Sequence, residues 1–316
     1  MNRYANRLGV MIILCLVNIL ADAQSNKPVE TFETCWNLFD ESYASFEEKN
    51  IDWNKAYDIY SPQVTEKTTD KELFIILTNM LKPLGDAHIN LIAKNIDTAF
   101  SADRYSRVLE ELKPLEGRKK PYIMAMTQQT LLENGFDEII KVGPVFRDDT
   151  LFSYTRTDDI GYLRFFRSFS TLRKMVGPSL DSQLDEIFDF FEGVESIIID
   201  VRFNMGGDDG FSQKIAGRFV DEKVVGFKKQ TRKKKEFGVL KEKYIKPVGD
   251  NPFLKPVVLL TNDQTFSAAD VLALIMASLP NATIIGEPSN GSYSDLYGRK
   301  LLICMEESSP MDGRLP

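Results

Sequence analysis

The composition of this 316-residue chain is that of a globular protein. Hydrophobic residues make up 43% and charged residues 27%, which is enough apolar material for one or two packed domains. The net charge of −7 argues against a general nucleic-acid-binding role. A single histidine and the absence of a His-Glu-x-x-His motif argue against a metallopeptidase, and we expect neither a metal site nor another cofactor.

Residues 1–23 have the three parts of a secretory signal peptide. Arg3 and Arg7 form a positive start, residues 9–20 form a short apolar core, and Ala21-Asp-Ala23 supplies the small residues of a cleavage site. The apolar run is short for a membrane span, so we expect no stable membrane anchor. The sequence therefore predicts export to the periplasm or the exterior, with cleavage near Ala23.

Residues 24–92 show helical patterns and are predicted to form a small N-terminal helical domain. Thr69 and Glu72 have the spacing of a capping box at the start of one helix. Apolar residues recur at helical spacing in three segments: 32–39, 53–60 and 70–84. Residues 93–150 are mixed and polar, and we interpret them as a connecting region.

Strand and helix patterns alternate in residues 151–316. Strand-type runs occupy residues 151–155, 160–166, 196–201, 223–228, 256–261 and 283–286. Helical patterns occupy residues 180–192, 210–219 and 267–279. This alternation predicts an α/β fold with βαβ units and a largely parallel sheet. The basic run Lys228–Lys235 is interpreted as a solvated hairpin or loop, with contact to anions or peptide carboxylates as the alternative.

A candidate nucleophile lies where an apolar strand meets a helix. The run Val257–Leu260 ends at a polar turn, and a helical pattern begins near Ala268, which places Ser267 on the first turn of the helix. A serine there could act as a nucleophile, with the N–H of Ala268 donating to the developing oxyanion. A helix cap is the alternative, because Ser267 and Asp270 also have the spacing of a capping box.

Two further segments carry residues that suit such chemistry. His88 ends the segment Leu84–His88 and is the only histidine, so any imidazole base must be this residue. A histidine without a chemical role at a helix-to-loop junction is the alternative. The apolar run Ile197–Val201 continues into a turn with Gly206 and Gly207, whose N–H groups could face an oxyanion. An ordinary strand-to-loop junction is the alternative for this segment.

Four segments together resemble the tail-specific or C-terminal-processing serine peptidases, especially their tricorn-like branch. In chain order these segments are Leu84–His88, Asp200–Gly207, Thr265–Asp270 and Gly286–Asp295, and the resemblance covers roughly residues 30–301. It implies a ClpP/crotonase-like spiral ββα core in residues 151–316, preceded by the small helical domain. Related peptidases often carry a PDZ module, but residues 93–150 show no clear one.

The resemblance also implies an activity and a set of roles. It implies a serine endopeptidase that hydrolyses peptide bonds of polypeptides, including their C-terminal regions. Ser267 would be the nucleophile and His88 its general base. The oxyanion hole would consist of the backbone N–H groups of Ala268 and of Gly206 or Gly207. The oligomeric state is not predicted.

The chain departs from this family in three places. The branch with a Ser–Lys dyad has a lysine where this chain has Ser292, and tricorn has a serine where this chain has Ala87. The glutamate that assists the family's histidine lies in a segment beyond Pro316, so we expect a core that is incomplete at its C-terminus through an out-of-frame duplication after Leu301. A catalytically impaired or non-catalytic member that binds peptides or hydrophobic ligands is therefore the alternative function. An unrelated α/β-hydrolase is disfavoured, because no Gly-x-Ser-x-Gly motif occurs.

Overall fold

The computed structural model describes residues 27–115, 119–146, 149–169 and 179–293. These residues form two compact units: an N-terminal unit of residues 27–105 with 230–239, and a second unit of the described residues in 106–229 and 240–293. The predicted signal peptide and the predicted duplication after Leu301 lie outside the described residues. The domain boundaries at residues 92 and 150 stay predictions. Within the described ranges, no helix combines the length and the apolar character that crossing a membrane requires.

The N-terminal unit contains three helices close to the predicted positions: α1 (Pro28–Ser42), α2 (Trp53–Tyr60) and α3 (Asp70–Leu81). The predicted capping box starts α3, because the Thr69 N–H donates to Glu72 Oε2 at 2.9 Å and the Glu72 N–H donates to Thr69 Oγ1 at 3.3 Å. The apolar stripes of the helices meet in one buried cluster. Cys35, a free cysteine, is part of it, and its burial raises the pKa of the thiol to about 12.

A short antiparallel hairpin follows α3 and carries His88. One 3-10 turn, Lys82–Leu84, extends the helix, and Gly85 then ends it with a φ of 52°. Strand β1 (Asp86–Ala93) begins at the next residue and pairs with β2 (Thr98–Ala102). His88 therefore lies on a strand, and not at the helix-to-loop junction considered from the sequence, because the left-handed glycine turns the chain directly from helix to strand.

The second unit contains a six-stranded mixed sheet. In sequence order its strands are β3 (Ile140–Phe146), β4 (Asp149–Arg156), β5 (Ile160–Phe165), β6 (Ser196–Asp200), β11 (Val257–Thr261) and β12 (Ala282–Gly286), and the spatial order is β12-β11-β6-β5-β4-β3. Three neighbouring pairs are parallel, as predicted: β12 with β11, β11 with β6, and β6 with β5. Strands β3, β4 and β5 pair antiparallel, because connections of a few residues allow only antiparallel neighbours.

A two-stranded ribbon, β7 (Val224–Lys229) with β10 (Lys241–Ile245), also belongs to the second unit. Between these strands the chain forms the predicted hairpin from β8 (Arg232–Lys233) and β9 (Glu236–Phe237), which belongs to the N-terminal unit. Arg232 donates to the backbone carbonyl of Tyr43 at 2.6 Å. The arginine of the basic run thus packs within its unit instead of being fully solvated.

The helices of the second unit are α4 (Arg107–Glu111), α5 (Lys119–Glu133), α6 (Leu180–Phe190), α7 (Asp209–Ala216) and α8 (Ala268–Ala277). The sheet and the last three helices share one core, in which Ile199 of β6, Leu259 of β11 and Leu272 of α8 are fully buried. Because β6 and β11 are parallel neighbours, their carboxyl ends lie at the same edge of the sheet. The turns that follow them carry Gly206, Gly207 and Ser267, and such an edge is where α/β sheets usually hold their ligands.

Candidate active site

The turn after β6 and the turn after β11 are joined by hydrogen bonds. The Phe266 N–H donates to the carbonyl of Asn204 at 2.9 Å, and the hydroxyl of Thr265 donates to the carbonyl of Val201 at 2.9 Å. Thr265 and Asn204 are fully buried. The backbone around Ser267 is therefore fixed against the glycine-containing turn.

Ser267 has a backbone conformation that ordinary helix caps do not have. Its φ is 59° and its ψ is −121°, whereas a capping serine normally has extended dihedral angles. A non-glycine residue in such a conformation costs on the order of 1–3 kcal/mol and occurs mainly at functional sites. The half-buried side chain lies on a sharp strand-to-helix turn, which is the geometry that α/β-hydrolases use to present a nucleophilic serine.

Gly206 lies directly against Ser267. Its φ is 71°, and a Cβ atom at this position would lie 2.6 Å from the Cβ of Ser267 and 2.9 Å from the nitrogen of Ala268. No larger residue fits without moving the turn. The N–H of Gly206 is already engaged, since it donates to Asn204 Oδ1 at 2.8 Å.

Two other N–H groups at this turn have no acceptor among the described residues. They belong to Gly207 and to Ala268, the first residue of α8. The first N–H groups of a helix have no partner within the helix, and the helix dipole favours negative charge there. Gly207 and Ala268 are therefore better placed than Gly206 to donate to an oxyanion.

Asp270 holds the first turn of α8 to the segment after β12. The carboxylate is fully buried and accepts the N–H of Ser267 at 2.7 Å, that of Gly291 at 2.8 Å and that of Ser292 at 3.1 Å. Burial raises the pKa of this carboxyl group, although the same hydrogen bonds oppose the increase. Asp270 thus makes the hydrogen bond that the predicted capping box assigns to it, by accepting the N–H of Ser267. Ser292, at the position of the dyad lysine, is bound to it through the backbone.

Asp200 and Arg202, in the segment Asp200–Gly207, form an ion pair at the end of β6 in which Asp200 is buried and Arg202 is partly exposed. Asp200 accepts from Arg202 Nη2 at 2.7 Å and from the hydroxyl of Tyr162 at 2.8 Å. Burial raises the pKa of Asp200, but the contacts with Arg202 lower it more, so the net pKa is below its ordinary value. These groups satisfy each other, and we assign them a structural role.

His88 lies on β1 in the N-terminal unit, where it is buried beside a carboxylate. Its Nδ1 is 3.3 Å from Asp86 Oδ1, and the same oxygen accepts the backbone N–H of His88 at 3.0 Å. Burial raises the pKa of Asp86, but its contacts with His88 and the nearby charge of Lys49 lower it more, so the net pKa is below its ordinary value. Asp86 was not predicted as a partner of His88. The available signal was their two-residue spacing, which puts both side chains on one face of a strand.

Two models of known families match parts of this chain. The model of Peptidase family S41 matches residues 159–296, and that of the Tricorn protease C1 domain matches residues 25–82. Ser267, Gly206 and Gly207 lie inside the first match, whereas His88 lies between the two matches. The carboxy-terminal processing protease CtpA of Bacillus subtilis (strain 168) is 26% identical over 143 residues, which are 45% of this chain. The chain spans 28% of the length of that curated relative.

Solved structures are similar over most of the chain. A candidate peptidase from Parabacteroides merdae ATCC 43184 has a TM-score of 0.64 and 28% identity over 85% of this chain and 77% of its own. Mature CPAF complexed with lactacystin has a TM-score of 0.56 over 89% of this chain and 86% of its own, and at 13% identity it supports the fold alone. Together with the mixed sheet of the second unit, these likenesses confirm the predicted α/β, ClpP-like fold.

Proposed function

We propose that this chain, whose residues 159–296 match the model of Peptidase family S41, hydrolyses peptide bonds of polypeptides with Ser267 as its nucleophile. One observation carries the proposal. The half-buried Ser267 lies on a strained strand-to-helix turn immediately before α8, and its Cβ lies so close to Gly206 that no larger residue fits at position 206. A serine that only capped its helix would not need this conformation. The similarity to a candidate peptidase at 28% identity supports the same reading.

In the proposed reaction the Ser267 hydroxyl attacks the peptide carbonyl and His88 accepts the hydroxyl proton. The tetrahedral oxyanion is stabilised by the N–H groups of Ala268 and Gly207, each worth about 3 kcal/mol in comparable sites. When the tetrahedral intermediate collapses, the protonated His88 gives its proton to the leaving amine. Water then attacks the acyl-enzyme with His88 again as base, which releases the acid product and restores the serine.

We also propose that the protein acts after export. The features of residues 1–23 support a cleaved signal peptide, and they lie outside the described residues. Its substrates would then be extracytoplasmic polypeptides. Cleavage within their C-terminal regions is supported by the similarity to CtpA, whose name is carboxy-terminal processing protease.

The nucleophile assignment is tested with a fluorophosphonate, which labels activated serines covalently. We expect Ser267→Ala to abolish labelling of the full chain. The matched control is Ser179→Ala, because Ser179 is an ordinary cap of α6 with a φ of −64° and a side chain that accepts the N–H of Ser182 at 3.2 Å. This control should lose about 1 kcal/mol of stability and label normally. Labelling that persists in Ser267→Ala would reject the assignment, and a protein that never labels would favour a non-catalytic binding module.

A further inference from the structure

We infer that Asp86 is the positioning residue of His88: it holds the proton on Nδ1 and leaves Nε2 as the basic nitrogen. This inference rests on the proposed function, because it concerns how His88 serves as the general base. It assigns to a residue of β1 the role that the family resemblance gives to a distant glutamate. The carboxylate and the imidazole are contributed by the same strand, two residues apart.

One carboxylate oxygen is fixed by the backbone next to the ring. Asp86 Oδ1 accepts the N–H of His88 at 3.0 Å and lies 3.3 Å from its Nδ1. Both side chains are buried, with 2% of Asp86 and 6% of His88 exposed. A buried carboxylate beside an imidazole nitrogen favours the tautomer that carries its proton on that nitrogen.

The second carboxylate oxygen is held by a tyrosine. Asp86 Oδ2 accepts the hydroxyl of Tyr43 at 3.2 Å, and Tyr43 is itself buried. Lys49 donates to the carbonyl of Gly85 at 3.1 Å, which places a positive charge beside the carboxylate. These contacts keep Asp86 ionised and fix its orientation, as a positioning carboxylate requires.

The geometry has a consequence for the proton balance of the reaction. With one proton held on Nδ1, the neutral ring can accept a second only at Nε2, and the resulting imidazolium is stabilised by the Asp86 carboxylate. In a serine-protease triad, replacing the corresponding aspartate by asparagine lowers kcat by about 10⁴, because the tautomer becomes wrong. Asp86→Asn is expected to have an effect of the same kind here.

Because His88 is the only histidine, its ring can be observed without interference from others. We would record the imidazole ¹⁵N signals of the full chain against pH. The wild type should carry its neutral-state proton on Nδ1, and Asp86→Asn should lose this preference. Lys49 lies near the Asp86 carboxylate, and Glu48 and Arg104 lie near Lys49; all three remain in the variant.

The matched control is Asp97→Asn, which removes one negative charge from an exposed turn of the same unit. Asp97 has a φ of 46°, which asparagine tolerates, so the fold and the tautomer of the His88 ring should stay unchanged. If Asp86→Asn fails to fold, the wild-type spectrum still shows which ring nitrogen of His88 carries the proton. A neutral wild-type ring protonated on Nε2 would overturn the inference.

Fluorophosphonate labelling separates this inference from the proposed function. Asp86→Asn should label at least 1,000-fold more slowly than wild type, while Asp97→Asn labels at the wild-type rate. A wild type that never labels would reject the proposed peptidase, whereas the ¹⁵N signals would still report whether Asp86 controls the tautomer. Normal labelling of Asp86→Asn would show that another residue orients His88.

Discussion

Gly206 shows, at the scale of a single residue, how the site depends on close approach of two backbones. A methyl group there would lie 2.5 Å from the carbonyl oxygen of Phe266 and 2.6 Å from the Cβ of Ser267. We therefore expect Gly206→Ala to displace the serine turn and to slow fluorophosphonate labelling about 100-fold, since shifts near 1 Å have effects of this size. The labelling rate at fixed probe concentration gives the measurement.

A second glycine provides the control for backbone strain alone. Gly193 has a φ of 90°, but a Cβ atom there would meet nothing within 4 Å. Gly193→Ala should cost about 1–2 kcal/mol of unfolding free energy from the left-handed conformation and leave the labelling rate unchanged. Equal labelling rates in the two alanine variants would mean that the contact between Gly206 and Ser267 has no role in reactivity.

The sequence identifies candidate residues more readily than the partners that control them. Ser267 and the glycine pair follow from the strand, turn and helix patterns around them, and His88 follows from being the only histidine. That Asn204 engages the N–H of Gly206 is a tertiary detail, decided by the direction in which one amide points. The contact between Asp86 and His88 was missed because their segment was not recognised as a strand, so their shared face was not apparent.

At the scale of a secondary-structure element, the position of the first turn of α8 depends on one buried carboxylate, that of Asp270. Asp270 accepts three N–H groups, from Ser267, Gly291 and Ser292. An asparagine has one acceptor oxygen, and its amide group cannot accept the remaining donors. We expect Asp270→Asn to lower the unfolding free energy by about 1–3 kcal/mol and to slow labelling of Ser267, as measured by denaturant unfolding and by labelling kinetics.

The control for this change is an exposed aspartate on another helix. Asp181 of α6 is 53% exposed and pairs with Lys214 at 2.5 Å. Surface pairs of this kind contribute about 0–1 kcal/mol, so Asp181→Asn should change stability little and labelling not at all. If Asp270→Asn is as mild as this control, the segment after β12 does not depend on the carboxylate.

Whole elements were predicted best where a long apolar pattern decided them. Strands β4, β5, β6 and β11 and helices α6, α7 and α8 lie close to their predicted positions, because each has a buried face. Strand β12 was also predicted from its apolar run, although most of its residues are exposed. Strand β1 was missed because a helical stripe runs up to Leu84, and the conformation of Gly85, which ends it, depends on the surrounding chain. Strand β3 (Ile140–Phe146), the outer strand of the antiparallel half, was missed because Gly143 and Pro144 interrupt its apolar residues.

Across the whole molecule, the two candidate catalytic side chains come from different units. Ser267 belongs to the second unit, inside the match to Peptidase family S41, and His88 belongs to the N-terminal unit, outside both family matches. The proposal of Ser267 as nucleophile rests on the resemblance and on the local geometry of its turn. The base is supported by the resemblance, by its contact with Asp86 and by the absence of any other histidine in the sequence.

Export is the last property of the whole chain that we predict. Cleavage after Ala23 should give a mature protein that begins at Gln24, because signal peptidases require small residues one and three positions before the cut. Ala23→Arg should block processing and leave the precursor uncleaved. Asp22→Asn is the matched control, because the position between the two alanines is not restricted in size, and it should be processed normally. Intact mass measurement of the exported fraction distinguishes the forms. An uncleaved wild type that stays in the cytoplasm would refute the prediction.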